Sequence, residues 1–402
     1  MLIELNEGQR KCLLQLMLWW KHDTEEKQVF EIAGAAGTGK TTIIRQLIES
    51  LDDLEMVDVI FVTFVGKAAL NLSKAGLPGR TIHSTIYHVV EIDKLDANGN
   101  PIIEEGRRVK TIRFIKKEEL PGVKLIVIDE ASMVDKIVAA DLLSYNIPII
   151  AIGDLNQLPP VFGKPVFLKH PDAILTEVVR QKADSPILSL SQYIINSKHI
   201  KLYPGVYDNK LMIVKKEDFF RRFLSVLLKS DIVICGKNST RDKLNEMIRD
   251  MYFKSIGIDK PLPEMMVGDK LICRKNNWIL EKNGINLING LIGRVTDIDM
   301  ESSTKNVVPI DFKPDFIDAE FEDVPINMKY FKGDATTKTL IKNTPHVGEL
   351  FELGYAITCH LSQGSQYEKV IVFCERMGDN DYYKKWLYTA VTRASEKLIL
   401  II

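Results

Sequence analysis

The run Gly34-Ala35-Ala36-Gly37-Thr38-Gly39-Lys40-Thr41 consists of a glycine, four residues, and then Gly-Lys-Thr. Glycines let a backbone curl so that successive N–H groups face inward toward phosphate oxygens. A helix opening at the end of the turn adds its positive end. In that pattern Lys40 reaches the β and γ phosphates of a nucleotide and the Thr41 hydroxyl ligates Mg²⁺. Two carboxylates, Asp129 and Glu130, end the apolar run Leu125-Ile126-Val127-Ile128. The C-terminal ends of parallel strands are where α/β sheets open their ligand crevice. There Asp129 is placed to hold Mg²⁺ through its water shell and Glu130 to polarise an attacking water. Gln157, within Gly153-Asp154-Leu155-Asn156-Gln157-Leu158-Pro159-Pro160, offers an amide suited to sensing a γ-phosphate or a water, on a turn stiffened by its prolines. The amide of Gln9 both donates and accepts, which reading the edge of adenine requires, although a lone glutamine is ordinarily a surface residue.

These residues need a scaffold, and the flanking patterns supply one. An apolar strand over 29–33 precedes the glycine loop and a helix over 42–51 follows it. The layout repeats at 58–62, where a β-branched strand leads into Gly66-Lys67-Ala68-Ala69, and another strand spans 148–152. From Ile86 to about Lys117 the pattern alternates, and Asp96-Ala97-Asn98-Gly99-Asn100-Pro101 marks a turn, so a β-hairpin inserted into an α/β domain is expected. Its second half interleaves Arg107, Arg108, Lys110, Arg113, Lys116 and Lys117 with apolar residues, either a solvated strand face or a phosphate-contacting surface. Strands over 231–235, 370–374 and 397–402, with an amphipathic helix over 238–254 capped by Ser239 and Asp242, predict a second α/β sheet without a phosphate loop. Between about Thr296 and Gly348 the prolines and aromatics predict a small β module rather than helices, with a long disordered loop as the alternative.

The 402 residues suit two to three domains, and the 46% hydrophobic content is ample for packed cores. A net charge of −1 rules out a global basic field, so any nucleic-acid site is local. Five scattered cysteines, with no paired spacing, read as reduced and mostly buried thiols and argue against a zinc site. No leader pattern and no long apolar run occur, so a soluble cytoplasmic chain with no membrane partner is expected.

Taken together, the motifs resemble those of superfamily 1 helicases of the RecD-like, 5′-to-3′ branch, closest in size and layout to the phage Dda type. The matching stretches are Gly34 to Thr41, Gly66 to Ala69, Thr81-Ile82-His83, Asp129-Glu130-Ala131-Ser132 and Gly153 to Pro160. They continue through Thr176 to Gln181, Ala356 to Ser365 and Tyr388-Thr389-Ala390-Val391-Thr392-Arg393-Ala394, and so cover nearly the whole chain. Leu361, where the family often has a basic residue, and Val65, near a family proline, depart from the pattern.

The resemblance implies an α/β fold of two RecA-like P-loop NTPase domains, with a β-hairpin insertion in the first and a small β-rich, SH3-like insertion in the second. The first domain would comprise 1–85 and 119–178 around a hairpin wedge at 86–118. The second would comprise 179–296 and 350–402 around an insertion at 297–349. It further implies ATP and Mg²⁺ as cofactors, with Gln9, Gly34, Gly37, Thr38, Gly39, Lys40, Thr41, Thr42 and Gly364 at the nucleotide and Thr41 and Asp129 at the metal. Lys40, Glu130 and Gln157 would act in hydrolysis together with two arginine fingers, Arg180 and Arg393, whose planar charge bridges phosphate oxygens. Lys67, Thr81, His83, Thr358 and His360 would grip nucleic-acid phosphates without reading sequence. The implied activity is ATP-dependent 5′-to-3′ translocation on single-stranded DNA and unwinding of tailed duplexes by a monomer. It would serve phage or bacterial replication, recombination or repair, with single-strand-binding or replication proteins as further partners, in a bacterial or phage-infected cell. An RNA-directed translocase and a nucleotide-gated clamp that does not unwind are the alternatives. Glu130 with two candidate arginines favours turnover.

Overall fold

The computed structural model describes residues 5–74, 76–104, 106–159, 166–177, 185–283, 285–315, 317–344 and 346–402; for Lys74, Glu104 and Arg107 it describes the backbone alone. Contacts group the chain into two compact units. The first is Met1–Ile86, Lys116–Gly236 and Thr358–Ile402, and the second is Tyr87–Ile115 and Lys237–Ile357.

The first unit holds two sheets. In one, the strands run in the order Ala173–Leu175, Val29–Gly34, Ile149–Gly153, Leu125–Asp129, Val59–Thr63 and Gly79–Thr81, all parallel. Their central runs, Leu125-Ile126-Val127-Ile128 and Ile149-Ile150-Ala151-Ile152, are buried throughout, as strands covered on both faces must be. The helix Lys40–Glu49 turns Ile43, Ile44, Leu47 and Ile48 onto one face, and all four are buried in the core that also takes Phe30, Ile32, Phe61 and Val127. Each such side chain contributes roughly 1.5–3 kcal/mol by leaving water. In-register pairing brings the ends of three strands together, Thr63 opposite both Thr81 and Asp129.

The second sheet is built around Ala394–Ile401, which pairs parallel with Leu211–Val214 on one side and Tyr367–Phe373 on the other. Ile232–Cys235 lies beyond Tyr367–Phe373, and Gly205–Tyr207 adds an antiparallel edge. The helix Asn380–Val391 begins at Asp379, whose carboxylate accepts from the Tyr382 N–H at 2.8 Å, and buries Trp386, Leu387, Tyr388 and Thr389.

In the second unit, Tyr87–Asp93 and Lys110–Lys116 form a two-stranded ribbon whose Phe114 ring meets Trp278 edge-on at 5.9 Å. The ribbon does not end in one turn. Lys94 accepts from Ile102 N–H and donates to the Val109 carbonyl, closing a first turn at Asp96–Asn100, and Ile103–Glu104 pairs with Arg107–Arg108 to make a second. The Asp96 carboxylate accepts from the Asn98 and Asn100 N–H groups at 2.8 and 2.9 Å, and those bonds hold its carboxyl below the ordinary range.

An antiparallel sheet follows in the order Phe321–Asn327, Val307–Pro314, Ile292–Ile298, Lys270–Cys273 and Phe351–Leu353. It starts well before residue 296. Two helices, Met328–Lys332 and Ala335–Asn343, occupy the stretch whose composition points to strands alone. Asn327 and Asp334 cap them by accepting from Tyr330 N–H and Thr337 N–H. The helix Asn238–Ser255 forms where its apolar spacing predicts, but it starts at Lys237 without a side-chain cap, so the Ser239–Asp242 capping box is not made. No helix among the described residues is long and apolar enough to cross a membrane.

Candidate active site

The glycine loop is shaped to take phosphate. Gly37 and Gly39 sit at φ of 80° and 81°, the left-handed region that side chains resist, and Gly39 is also the N-cap of the Lys40–Glu49 helix. A Cβ on Gly34 would stand 2.7 Å from Thr38 Oγ1 and 3.1 Å from Leu175 Cβ, so any side chain there would displace the buried residues that set the turn. Thr38 is fully buried and its hydroxyl donates to the Ala35 carbonyl at 2.9 Å, closing the turn from inside. The Lys40 ammonium donates to the Gly34 and Ala35 carbonyls at 2.7 and 3.1 Å and so lies over the loop itself. Thr41 and Thr42 follow in the first helical turn, both half-buried. A cavity of 320 Å³ opens beside Ala36 and Gly37, with Lys210, Gln366 and Thr392 of the second sheet's side on its wall. That volume falls within the range of small-molecule sites.

Gln9 is buried and occupied at both ends. Its Nε2 donates to the Thr38 carbonyl at 2.9 Å, and its Oε1 accepts from Asn6 N–H at 3.0 Å while Asn6 Oδ1 accepts from Gln9 N–H. The residue thus completes a capping box and ties the first helix to the phosphate loop.

Asp129 and Glu130 end their strand together, and Glu130 adopts φ of 52°, a strained conformation for a residue with a Cβ. Burial pushes the Asp129 carboxyl up, opposed by the Lys40 ammonium and the Glu130 N–H, which donates to Asp129 Oδ1 at 3.0 Å. Glu130 is pushed up by burial and then by the Asp129 charge. Arg393 and Lys40 pull it back down, and Asp154 adds a further upward push. A carboxylate with a raised pKa beside two cations is suited to taking a proton from water. The structure therefore brings Asp129, Arg393 and Lys40 into the field of Glu130, and Lys40 into that of Asp129, two sheets contributing to one site.

Arg393 is 5% exposed. Its guanidinium donates to the Thr389 and Ser365 carbonyls at 3.0 and 3.1 Å and to Thr392 Oγ1 at 3.2 Å, so its position is fixed by its own half of the unit. Arg180 lies outside the described residues. The Gln157 loop is gripped on both flanks by the second sheet's elements. Leu158 N–H donates to Thr389 Oγ1 at 2.8 Å, Gln363 Nε2 donates to the Leu158 carbonyl at 2.7 Å, and Tyr388 Oη donates to Asp154 Oδ2 at 2.6 Å. Sequence reasoning missed Tyr388, Asp154, Thr389 and Gln363. All four stand inside the motif stretches, which was the available signal.

The nucleic-acid candidates occupy a different part of the unit. Lys67 donates to Tyr367 Oη at 3.1 Å, and His360 Nε2 and Tyr382 Oη lie 3.0 Å apart. Burial lowers the pKa of both His83 and His360, so neutral imidazoles are favoured at pH 7. The Thr81 hydroxyl is drawn into its own turn, accepting from Ser84 N–H at 3.1 Å, and Thr358 ends its strand half-buried. Gly364, expected at the nucleotide, packs against Val65 and Ala68, and its carbonyl accepts from Asn71 Nδ2 at 3.1 Å.

Comparison with known proteins agrees with this layout. Residues 21–163 match an AAA domain model, and residues 353–401 match the UvrD-like helicase C-terminal domain. The chain is 30% identical over 300 residues to the ATP-dependent DNA helicase dda of Enterobacteria phage T4, covering 68% of this chain and 61% of that one. It is 24% identical over 449 residues to the RecBCD enzyme subunit RecD of Buchnera aphidicola subsp. Schizaphis graminum, covering 94% of this chain and 72% of the relative. The crystal structure of Bacteroides Pif1 bound to ssDNA shares the fold, with a TM-score of 0.52 at 19% identity over 100% of this chain and 92% of that one. With its phosphate loop, acidic strand end and Arg393 motif in this order on paired sheets, the chain is similar over most of its length to helicases of the RecD and Dda type.

Proposed function

We propose that the protein is an ATP-dependent helicase that translocates 5′-to-3′ on single-stranded DNA and unwinds tailed duplexes. The observation that carries this reading is the reach of Arg393, on the second sheet's side, into the field of Glu130 at the end of a strand of the first sheet. A nucleotide site made from two halves couples hydrolysis to their relative motion.

In this reading ATP lies on the glycine loop, and Lys40 leaves the Gly34 and Ala35 carbonyls for the β and γ phosphates. Mg²⁺ between the Thr41 hydroxyl and Asp129 would neutralise phosphate charge. Gln157 orients the attacking water and Glu130 takes its proton as the bond from water oxygen to the γ phosphorus forms and that to the β–γ bridging oxygen breaks. Arg393, with Arg180 as its expected companion, stabilises the charge on the γ-phosphoryl oxygens. Lys67, Thr81, His83, Thr358 and His360 provide alternating grips on DNA phosphates. The Tyr87–Lys116 ribbon serves as the wedge and the 297–349 segment as an SH3-like accessory, in a monomer acting in DNA replication, recombination or repair in the cytoplasm.

The test is unwinding of duplexes with a 5′ or a 3′ tail, of DNA or RNA, with ATP and Mg²⁺. The expected result is unwinding of 5′-tailed DNA only. A 3′ preference overturns the polarity, activity confined to RNA overturns the substrate, DNA-stimulated hydrolysis without unwinding leaves a bare translocase, and DNA binding without stimulated hydrolysis leaves a clamp.

A further inference from the structure

Tyr388 stands where the two halves of the nucleotide site meet. It lies on the helix Asn380–Val391 of the second sheet's side, five residues ahead of Arg393, and is 1% exposed. Its hydroxyl makes two bonds in opposite senses. It accepts from the backbone N–H of Ala36, in the phosphate loop, at 2.9 Å, and it donates to Asp154 Oδ2 at 2.6 Å. Asp154 is itself 4% exposed, and its other oxygen accepts from Asn156 N–H and Nδ2 at 2.9 and 3.2 Å, shaping the turn that carries Gln157. The next residue, Thr389, holds the far side of that turn through Leu158.

A buried hydroxyl with both of its roles filled is a stiff link, because losing either partner strands a polar group away from water. The link is also specific in place. Ala36 precedes Gly37, the first left-handed glycine of the loop, so its N–H direction is tied to the loop's curl.

We propose that Tyr388 is a positioning residue for ATP hydrolysis: by joining the Ala36 N–H to the Asp154 carboxylate it sets the phosphate loop, the Gln157 turn and the Arg393 helix in one register. A change at the phosphate loop then reaches Gln157 and Arg393 together rather than one after the other. This rests on the functional reading above and deepens it. Tyr388 touches no reacting atom, so its effect is on turnover more than on nucleotide capture.

The variant is Tyr388→Phe, which keeps the ring and removes both bonds, and two measurements decide. The first is amide hydrogen exchange of the 34–39 segment in nucleotide-free protein, where Ala36 should exchange faster by on the order of tenfold, the equilibrium worth of one such bond. The second is ATP hydrolysis stimulated by single-stranded DNA, whose kcat should fall by at least roughly tenfold while KM for ATP moves by less than about threefold. Unchanged exchange at Ala36 overturns the link. Faster exchange with unchanged kcat makes Tyr388 a structural brace only and overturns the positioning role. Were Tyr388→Phe to be recovered unfolded, Asp154→Asn, which leaves a neutral acceptor, must lower kcat in the same sense by a smaller factor, and unchanged kcat there overturns the proposal. An absence of DNA-stimulated hydrolysis in the unaltered protein would instead sink the functional reading, and the exchange comparison would still decide whether Tyr388 holds the loop.

Discussion

The backbone N–H of Leu158 donates to the hydroxyl of Thr389 at 2.8 Å, and that hydroxyl donates in turn to the Lys385 carbonyl at 2.8 Å. One threonine thus fastens the loop beside Gln157 to the helix that leads into Arg393. The candidate catalytic groups of the two sheets are held by ordinary short hydrogen bonds as well as by charge.

Lys40→Ala should abolish productive ATP binding, whereas Glu130→Gln should keep ATP bound and slow its cleavage by on the order of 10²–10⁴-fold, the usual cost of one positioned base. Nucleotide-binding titrations beside single-turnover hydrolysis separate the two. Cleavage at the normal rate in Glu130→Gln would remove the base from this residue.

The same substitution should stabilise the protein. Glu130 has a folded-state pKa raised above 4.5, so the stability it contributes is complete at low pH and is lost as pH rises through the folded value. At pH 7.5 the neutral amide introduced by Glu130→Gln therefore removes a cost, and a thermal melt should register a higher Tm. A lower Tm in the variant would contradict this assignment of its burial.

The sign also fixes a kinetic profile. A base that must be ionised gives a kcat that falls on acidification, with an acid limb above the ordinary glutamate value of about 4.3. Stopped-flow hydrolysis across pH 5–8, in the unaltered protein and in Glu130→Gln, should show the limb only in the former.

In the second unit, Arg249 and Asp269 form a buried two-pronged ion pair at 2.6 and 2.9 Å, and Arg249 also donates to the Leu262 and Glu264 carbonyls. Arg249→Ala strands the Asp269 charge and should cost about 3–5 kcal/mol, measured by urea unfolding. A loss below about 1 kcal/mol, the scale of an exposed pair, would mean that water reaches Asp269.

The wedge proposal is best tested at the two turns. Cutting from Val89 to Ile103 would leave Lys110–Lys116 without its partner strand, since Tyr87–Asp93 forms the other half of the ribbon. Replacing Leu95 to Arg108 by Asn-Gly keeps the ribbon. Hydrolysis stimulated by single-stranded DNA should persist while unwinding of 5′-tailed duplex collapses, and equal unwinding would remove the wedge role. No aromatic residue lies between Leu95 and Arg108, so a steric obstacle is expected rather than base stacking.

The legible parts of this molecule are those written in neighbouring residues. The glycine loop, the acidic strand end and the helix from Asn238 are each specified within a dozen positions or so, and each forms where the pattern places it. The occupation of Gln9 was half legible. Asn6 and Gln9 stand at capping-box spacing, but the bond to the Thr38 carbonyl depends on how the first helix docks. Tyr388 was not legible, because its partners Ala36 and Asp154 are remote in sequence and its hydroxyl acts only when three elements meet. The helices at Met328–Lys332 and Ala335–Asn343 escaped because the aromatics Tyr330 and Phe331 carry strand preference, while the caps Asn327 and Asp334 decide locally for helix.

The strand Ala394–Ile401 sits inside the second sheet, between Leu211–Val214 and Tyr367–Phe373. During synthesis, therefore, Leu211–Val214 leaves the ribosome long before the partner that covers it exists. Its apolar side chains and open backbone edge must wait while Lys237–Ile357, the larger part of the second unit, is made. Assembly of this half of the molecule is a late, long-range event, slow by the loop closure it demands, and until then the waiting edge is open to pairing with another copy.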